Sequence, residues 1–175
     1  SYVVLNDWNN AYSNKNSPLA KRFSDEFERG FHLANEKERG ITSNITILDE
    51  NANFLTWERD ANHPDVIQFR LREKLLPNEK KIFKLTYIVK IPSDRFTKFG
   101  YNKKGTFNIK NWFLTPSRFE NNTFIKYDNV NLDDESNALS DFELSIKVPS
   151  NLVLTSDLNE INQTAKENQT LYHFK

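Results

Sequence analysis

The chain lacks cysteine and methionine entirely, and only four of its 175 residues are glycine. The absence of cysteine excludes a disulfide framework, a thiol nucleophile and a cysteine-ligated zinc site. The four glycines, at positions 30, 40, 100 and 105, are too far apart or wrongly spaced for a nucleotide-binding fingerprint. Because methionine is missing even from position 1, we expect a piece of a longer protein in which residues 1–175 form a single β-rich domain.

An excess of charge of either sign is also missing, since 24 Lys and Arg residues balance 24 Asp and Glu residues. A neutral chain has no net field that would attract nucleic acid or an acidic membrane, so we expect neither as a partner. No apolar run approaches the length of a membrane-spanning helix. The three histidines are far apart in sequence, and we expect no metal or cofactor to be bound by this chain itself.

Alternation of apolar and polar residues with period two is the strongest pattern present. It is clearest in DVIQFRLR (65–72), KIFKLTYIVKIP (81–92) and DFELSIKVP (141–149). Shorter candidate strands are YVVLNDW (2–8), NITILD (44–49), FLTWER (54–59), NLVLTSDL (151–158) and TLYHF (170–174). Such alternation is typical of antiparallel sheets with one face in water. The predicted fold is therefore mainly β, as an antiparallel β-sandwich or a large bent sheet.

One segment, SPLAKRFSDEFERGF, has a helical pattern instead. Ser17 is a suitable N-cap, Pro18 is suited to the first helical position, and Gly30 is a suitable stop. Leu19, Phe23 and Phe27 recur every four residues and form an apolar stripe. The sequence therefore predicts one short amphipathic helix near residues 18–29 that lies across a sheet face. Presentation of this helix to a partner is the alternative.

The stretch GTFNIKNWFLTPSRFE (105–120) begins as a half-buried strand and then changes character. Phe107 and Ile109 fall on one face, but from Trp112 to Leu114 both faces are apolar, until Pro116 ends the run. An apolar strand end of this kind is unfavourable in water. We expect it to be covered, either by an adjoining domain or by another part of the same domain.

Two further clusters suggest possible chemistry. NLDDES at 131–136 offers oxygen ligands for calcium but lacks the EF-hand spacing, and we interpret it as a solvated loop.

Trp8, Tyr12, Trp57 and Trp112 could form a carbohydrate-binding platform, although Trp8 and Trp57 fall inside strand patterns that favour the core. An independent binding module for carbohydrate or protein is the alternative function on these grounds. A stand-alone enzyme with a distributed site is a third class, for which no residue is nominated.

Several of these segments also follow the order of motifs in one known family. Trp112, Phe113 and Pro116 match a W-[YF]-x-x-P segment, DFELSIKVP at 141–149 matches the strand that follows it, and Ser156–Leu158 matches the next turn. In this respect the chain resembles the amino-terminal, non-catalytic domain of the aminopeptidase N family of zinc metallopeptidases (gluzincins). The segment 64–87 is similar to the family's strand pair around a Leu-Pro-Gly turn, with Asn78 where glycine is usual. LNDWNNAYSNKNSPLAKRF resembles a variant of bacterial members with an inserted helix, so that the resemblance covers nearly the whole chain.

The resemblance implies a saddle-like β domain without catalytic residues. The H-E-x-x-H helix, the downstream glutamate ligand and the G-A-M-E-N loop of the family are absent, as are one or two strands that usually precede YVVLNDW. Zinc is therefore expected in a catalytic domain after residue 175, and peptide substrate would be reached only through that domain. Some relatives have lost their zinc ligands, so the activity of the parent protein stays open. The expected contact with the catalytic domain comprises Trp112, Phe113, Leu114, Arg118 and Phe119.

Overall fold

The structure is a computed structural model, and it describes residues 1–131 and 137–175. The chain forms two compact units, residues 1–138 and 139–175. About 36% of the residues are in strands and 8% in helix, and the sheets are antiparallel. The prediction of a mainly β fold with antiparallel sheets and one short helix is therefore confirmed.

The first unit contains ten strands and the only α-helix among the described residues. The strands are β1 (Tyr2–Asn6), β2 (Ile41–Leu48), β3 (Trp57–Arg59), β4 (Val66–Arg70), β5 (Lys84–Lys90), β6 (Gly100–Tyr101), β7 (Phe107–Asn108), β8 (Thr115–Pro116), β9 (Phe119–Glu120) and β10 (Thr123–Phe124). A 3-10 helix spans Trp8–Tyr12, and helix α1 spans Pro18–Asp25. The second unit contains β11 (Leu144–Pro149), β12 (Glu160–Lys166) and β13 (Gln169–Phe174).

Four strands of the first unit form a sheet in the order β3-β4-β1-β8, while β2 pairs with β5. Leu5 in the central strand β1 lies opposite Ile67 on one side and Pro116 on the other. Because β8 is the outermost strand, Pro116 can pair there without the amide hydrogen that a central strand requires. The remaining pairs are β6–β7 and β9–β10.

The period-two pattern correctly predicts which side chains form the main core. Ile67 and Phe69 of β4 are buried, and Leu71 packs against them. On β5, Phe83, Leu85 and Tyr87 pack against the same cluster. The buried members of this core cluster are Leu5, Ile45, Ile47, Leu55, Ile67 and Phe69. A second cluster is centred on Leu19 of α1 and Phe31.

Helix α1 begins as predicted but ends four residues earlier than the predicted residue 29. The Ser17 hydroxyl accepts a hydrogen bond from the Ala20 amide (3.2 Å), as an N-cap should. At the other end, Phe27 adopts a left-handed conformation (φ 64°), and the amide of Glu28 donates to the carbonyl of Phe23 (2.7 Å). With the bond from Phe27 N to Ser24 O (3.1 Å), this is the Schellman C-cap. The prediction that Phe27 belongs to the apolar stripe is wrong, since its side chain is 86% exposed.

Two predictions in the C-terminal third are also corrected. NLVLTSDL (151–158) was expected to be a strand, but it forms turns and irregular structure, with Val153 87% exposed. Strand β12, which the apolar pattern does not indicate, pairs with β13 instead, and all seven of its residues are exposed. The sheet of the second unit has the order β11-β13-β12, and a bulge interrupts β12 between Glu160 and Asn162.

The left-handed C-cap at Phe27 leads to a prediction about stability. Replacing Phe27 by glycine should raise the free energy of unfolding by about 1 kcal/mol, because glycine adopts positive φ without steric strain. Phe27 has little packing to lose at its exposed position. Urea denaturation of the wild-type chain and of Phe27→Gly measures the difference.

The matched control is Phe27→Ala, which removes the same ring but keeps the Cβ atom that opposes the left-handed conformation. We expect the glycine variant to be the more stable of the two. Equal stability of the two variants would show that the cap residue is not strained.

Candidate functional site

A cleft in the first unit brings together aromatic rings and asparagine amides from distant parts of the sequence. We call it the Trp112 cleft and define it by Trp8, Tyr12, Phe99, Asn111, Trp112 and Asn129. It encloses about 410 Å3 including its open mouth, and its interior is narrow. Trp8, Tyr12 and Asn129 are buried, whereas the other three side chains are half-buried. The buried residues therefore form the floor of the cleft and the half-buried residues form its rim.

The floor is built by the 3-10 helix that follows β1. This short helix turns Trp8 and Tyr12 inward, and both are anchored by hydrogen bonds. The indole Nε1 of Trp8 donates to Asn137 Oδ1 (3.2 Å), and the Tyr12 hydroxyl pairs with the Thr97 hydroxyl (2.9 Å). Both rings thus have their polar atoms paired, which leaves their apolar surfaces to line the cleft.

The rim is formed by the segment that contains Trp112. Asn111 adopts a left-handed conformation (φ 50°), which asparagine tolerates better than most residues. Trp112 contacts Phe113 edge-to-face, with ring centroids 5.3 Å apart. Two residues later, the Leu114 amide donates to the Tyr87 hydroxyl (3.2 Å), and Leu114 packs against the core cluster. The segment is therefore fixed to strand β5 just after Trp112.

Two amide groups of the cleft have a hydrogen-bonding atom without a partner. Asn129 donates from its backbone N to Asp65 Oδ2 (2.9 Å) and from Nδ2 to the Trp8 carbonyl (3.1 Å). Its Oδ1 is buried, and among residues 1–131 and 137–175 nothing donates to it. Asn111 Nδ2 is likewise buried without an acceptor in the same part of the chain. Two residues that line the cleft thus each have one inaccessible polar atom without a partner in the part of the chain that the structure describes, which is uncommon for buried polar atoms.

Below the floor lies a buried carboxyl group, Asp65, whose side chain is fully inaccessible to solvent. Burial raises the pKa of Asp65 to about 7, and the hydrogen bond from the Asn129 amide opposes that shift. The neighbouring negative charges of Asp128 and Asp7 add to the increase. Ionising Asp65 within the fold is therefore unfavourable at pH values at which an exposed aspartate is fully charged.

Asp7, also buried, is compensated by an arginine. Its Oδ2 accepts from Arg59 Nη2 (2.8 Å) and its Oδ1 accepts from the Thr42 hydroxyl (2.6 Å). Arg59 also donates from Nη1 to the Pro64 carbonyl (2.7 Å), next to Asp65. Nearby, His63 Nδ1 lies 3.1 Å from Asp128 Oδ2. These bonds tie strand β3 and the turn at 63–65 to the start of the 3-10 helix.

The five residues of the expected domain contact have different surroundings. Trp112 and Phe113 are half-buried in contact with each other, and Leu114 is half-buried against the core. Arg118 forms an ion pair with Glu120 (2.9 Å). Phe119, in contrast, is 57% exposed and contacts Phe124 edge-to-face at 4.9 Å. Their assignment to an interface stays a prediction.

The structure brings three of the four platform aromatics, Trp8, Tyr12 and Trp112, into one cleft. Trp57 is elsewhere: it packs against the core cluster and donates from Nε1 to the Ile45 carbonyl (2.9 Å). Because Trp8 is only 2% exposed, the three rings do not form a flat exposed platform. The acidic segment NLDDES (131–136), which we interpret as a solvated loop, lies outside the described residues except for Asn131.

Sequence reasoning missed Asp65, Asn111 and Asn129 altogether. Their role depends on partners far away in the chain, such as the pair Asp65 and Asn129, 64 positions apart. An aspartate in a turn such as His63-Pro64-Asp65 is ordinarily exposed, so the sequence carried no signal that Asp65 is buried.

In the described ranges, 1–131 and 137–175, no three His, Asp or Glu side chains are grouped so that they could hold a metal ion. Over the same ranges, no helix has both the length and the apolar character needed to cross a membrane. Comparison of the chain with protein-family models, with curated proteins and with solved structures gives no match.

The buried Asp65 predicts how stability depends on pH. Its folded pKa is raised above the unfolded value, so the fold binds the proton more tightly than the unfolded chain does. Tighter proton binding by the fold stabilises it, and this stabilisation is complete below about pH 4 and is lost as the pH rises to about 7. Relative to Asp65→Asn, the wild-type free energy of unfolding should fall by about 1.4 kcal/mol per pH unit between pH 5 and 7. Urea denaturation over that range measures it.

Asp60→Asn is the control, because the hydrogen bond from Lys126 lowers the pKa of Asp60. The stability that such a group contributes is lost only as the pH falls through its lowered pKa, so the difference from wild type should be constant between pH 5 and 8. A constant difference for Asp65→Asn as well would mean that Asp65 titrates normally in the fold.

Proposed function

We propose that this chain is the non-catalytic amino-terminal domain of an aminopeptidase N-like protein. In this proposal it packs on a catalytic domain of the same polypeptide and helps to shape access to the active-site cleft of that domain. The zinc ion, its ligands and the general base are all assigned to the catalytic domain, which peptide substrate would enter. The sequence resemblance supports this function. One observation in the structure favours it as well, namely an exposed surface that an adjoining domain could cover.

That observation is an exposed aromatic cluster, which we call the Phe119 patch and define by Tyr2, Phe119 and Phe124. The ring of Phe124 lies between the other two, with its centroid 5.9 Å from Tyr2 and 4.9 Å from Phe119. Tyr2 is 45% exposed and Phe119 is 57% exposed. Contiguous exposed aromatic surface of this kind is typical of sites that another protein surface covers.

The patch is held in place by the short hairpin of β9 and β10. Phe119 lies directly opposite Phe124 in this pair, and two left-handed asparagines, Asn121 and Asn122, form the turn. At the base of the hairpin the Ile125 amide donates to the Arg118 carbonyl (2.8 Å). Because the hairpin already places its rings together, less conformational entropy is lost when they are buried against a partner than for an unstructured segment.

Burying the patch would also be favourable in itself. Removal of apolar surface from water contributes roughly 25 cal/mol per Å2 to the free energy of association. Aromatic side chains have a particularly large apolar surface per residue. Phe119 belongs to the five residues for which the sequence predicts the domain contact. Its exposure therefore makes it the member of that set with the most apolar surface available to an adjoining domain.

The proposal predicts that Phe119 contributes to association with the protein segment encoded directly downstream. With the two segments expressed as separate chains, Phe119→Ser should weaken their association about tenfold or more, as expected for loss of a central aromatic contact. Isothermal titration calorimetry measures the affinity. Zinc content and peptidase activity of the downstream segment are determined in parallel.

Phe54→Ser is the matched control, because Phe54 is 74% exposed but lies outside the Phe119 patch. It should leave the affinity unchanged. The proposed function would be overturned if the downstream segment carried no gluzincin-like domain, or if the two segments did not associate.

A further inference from the structure

A second cavity of the first unit lies between the turn after β2, the residues that follow β4 and the segment that leads into β5. We call it the Lys81 pocket and define it by Asn53, Leu55, Leu71, Glu73, Lys81 and Phe83. Its volume is about 260 Å3. A cavity of roughly 150 Å3 is enough to bind benzene, so this pocket has room for a phenyl ring with a short arm.

The inner wall of the pocket is apolar. Leu55 is buried and belongs to the main core cluster, against which Leu71 and Phe83 pack. All three residues line the pocket. An apolar group that displaces water from this wall is therefore bound favourably.

A lysine occupies a position where the sequence pattern calls for an apolar residue. Lys81, Phe83 and Leu85 are half-buried, whereas Ile82 and Lys84 between them are exposed. Lys81 is thus in phase with the core-facing residues, and its side chain is only 20% exposed. A cation that is largely removed from water needs a partner of opposite charge.

The chain itself provides that partner only loosely. Lys81 Nζ lies 3.5 Å from Glu73 Oε2, which is longer than a good hydrogen bond, and Glu73 is 83% exposed. Ion pairs with so exposed a member are weak. Lys81 Nζ is not among the inaccessible unpaired atoms of residues 1–131 and 137–175, so a ligand can reach it.

The acidic residues of the pocket do not cancel this preference for an anion. Asp49 is already satisfied, since its Oδ1 accepts from the Asn53 amide (2.8 Å) and its Oδ2 accepts from Asn53 Nδ2 (3.1 Å). Glu50 and Glu73 are exposed to solvent. Lys81 therefore combines low exposure with spare donors, and a single ammonium matches a single carboxylate.

We propose that the Lys81 pocket binds a small monocarboxylic acid with an apolar body. The body lies against Leu55 and Leu71, and the carboxylate replaces Glu73 as the partner of Lys81. This site goes beyond the proposed function, because no residue of the Phe119 patch or of the expected domain contact lines the pocket.

The test is a titration of the isotopically labelled chain with 3-phenylpropionate, followed by NMR. We expect saturable shifts of the methyl signals of Leu55 and Leu71. The uncharged 3-phenylpropanamide has the same apolar body and should bind about tenfold more weakly, because it cannot form a charge-assisted hydrogen bond with Lys81. Acetate, which has the charge without the body, should give no saturable shifts.

The most direct variant is Lys81→Met, which keeps an unbranched apolar stem and removes the charge. It should weaken 3-phenylpropionate binding about tenfold or more. Lys84→Met is the matched control, since Lys84 is exposed on the opposite face of the same segment, and it should bind like the wild type. Glu73→Gln removes the competing carboxylate and should strengthen binding about threefold, as expected for loss of an exposed ion pair.

Three results would overturn the proposal. They are the absence of saturable shifts, equal affinity for 3-phenylpropionate and its amide, and unchanged affinity of Lys81→Met. If Lys81→Met does not fold, Glu73→Gln decides, because unchanged or weaker binding by that variant would exclude displacement of Glu73. None of these outcomes depends on association with a catalytic domain, so they leave the proposed function unaffected.

Discussion

The hydrogen bonds of Asp65 are the constraint on which the first unit most depends. Its carbonyl accepts from the Asp7 amide (2.8 Å), its carboxylate accepts from the Asn129 amide, and its own amide donates to Asp128 Oδ1 (3.3 Å). Three segments that are distant in sequence meet at this one residue. Because a buried polar group left without partners is costly, these bonds specify one arrangement of the segments rather than merely allowing it.

The floor of the Trp112 cleft follows directly from that arrangement. Trp8 comes immediately after Asp7, and Asn129 comes immediately after Asp128, so both cleft residues are positioned by the network below them. The Phe119 patch has a different physical basis, since it is an apolar surface on a short hairpin. A buried polar network thus shapes the Trp112 cleft, while exposed aromatic area characterises the Phe119 patch.

The sequence predicts those parts of the fold in which a residue's environment depends on its own type and near neighbours. Ile67 and Phe69 alternate with polar residues, and both are buried. Ser17 caps α1 as its position indicates. Phe27 was predicted incorrectly because four-residue spacing carries no information on where the backbone becomes left-handed. Strand β12 has no alternation to detect, since both of its faces are exposed.

Only some residues of the candidate site can be predicted from the sequence, for a related reason. Large aromatic side chains stand out in a sequence, so Trp8, Tyr12 and Trp112 could be nominated as residues of one site, and all three line the cleft. Asn129 and Asp65 resemble the many surface-type polar residues of the chain, and only their distant partners make them special. Long-range polar pairing leaves no periodic pattern, and a structure is needed to find it.

The exposed strand β12 has a consequence for handling the chain in solution. As the outermost strand of its sheet, it presents backbone groups that another molecule could extend into an intermolecular sheet. Its bulge between Glu160 and Asn162 breaks the regular spacing of those groups, and Lys166 places a charge at its end. Both features are among those that oppose edge-to-edge pairing in natural sheets, so β12 is a poor template for a strand from another molecule.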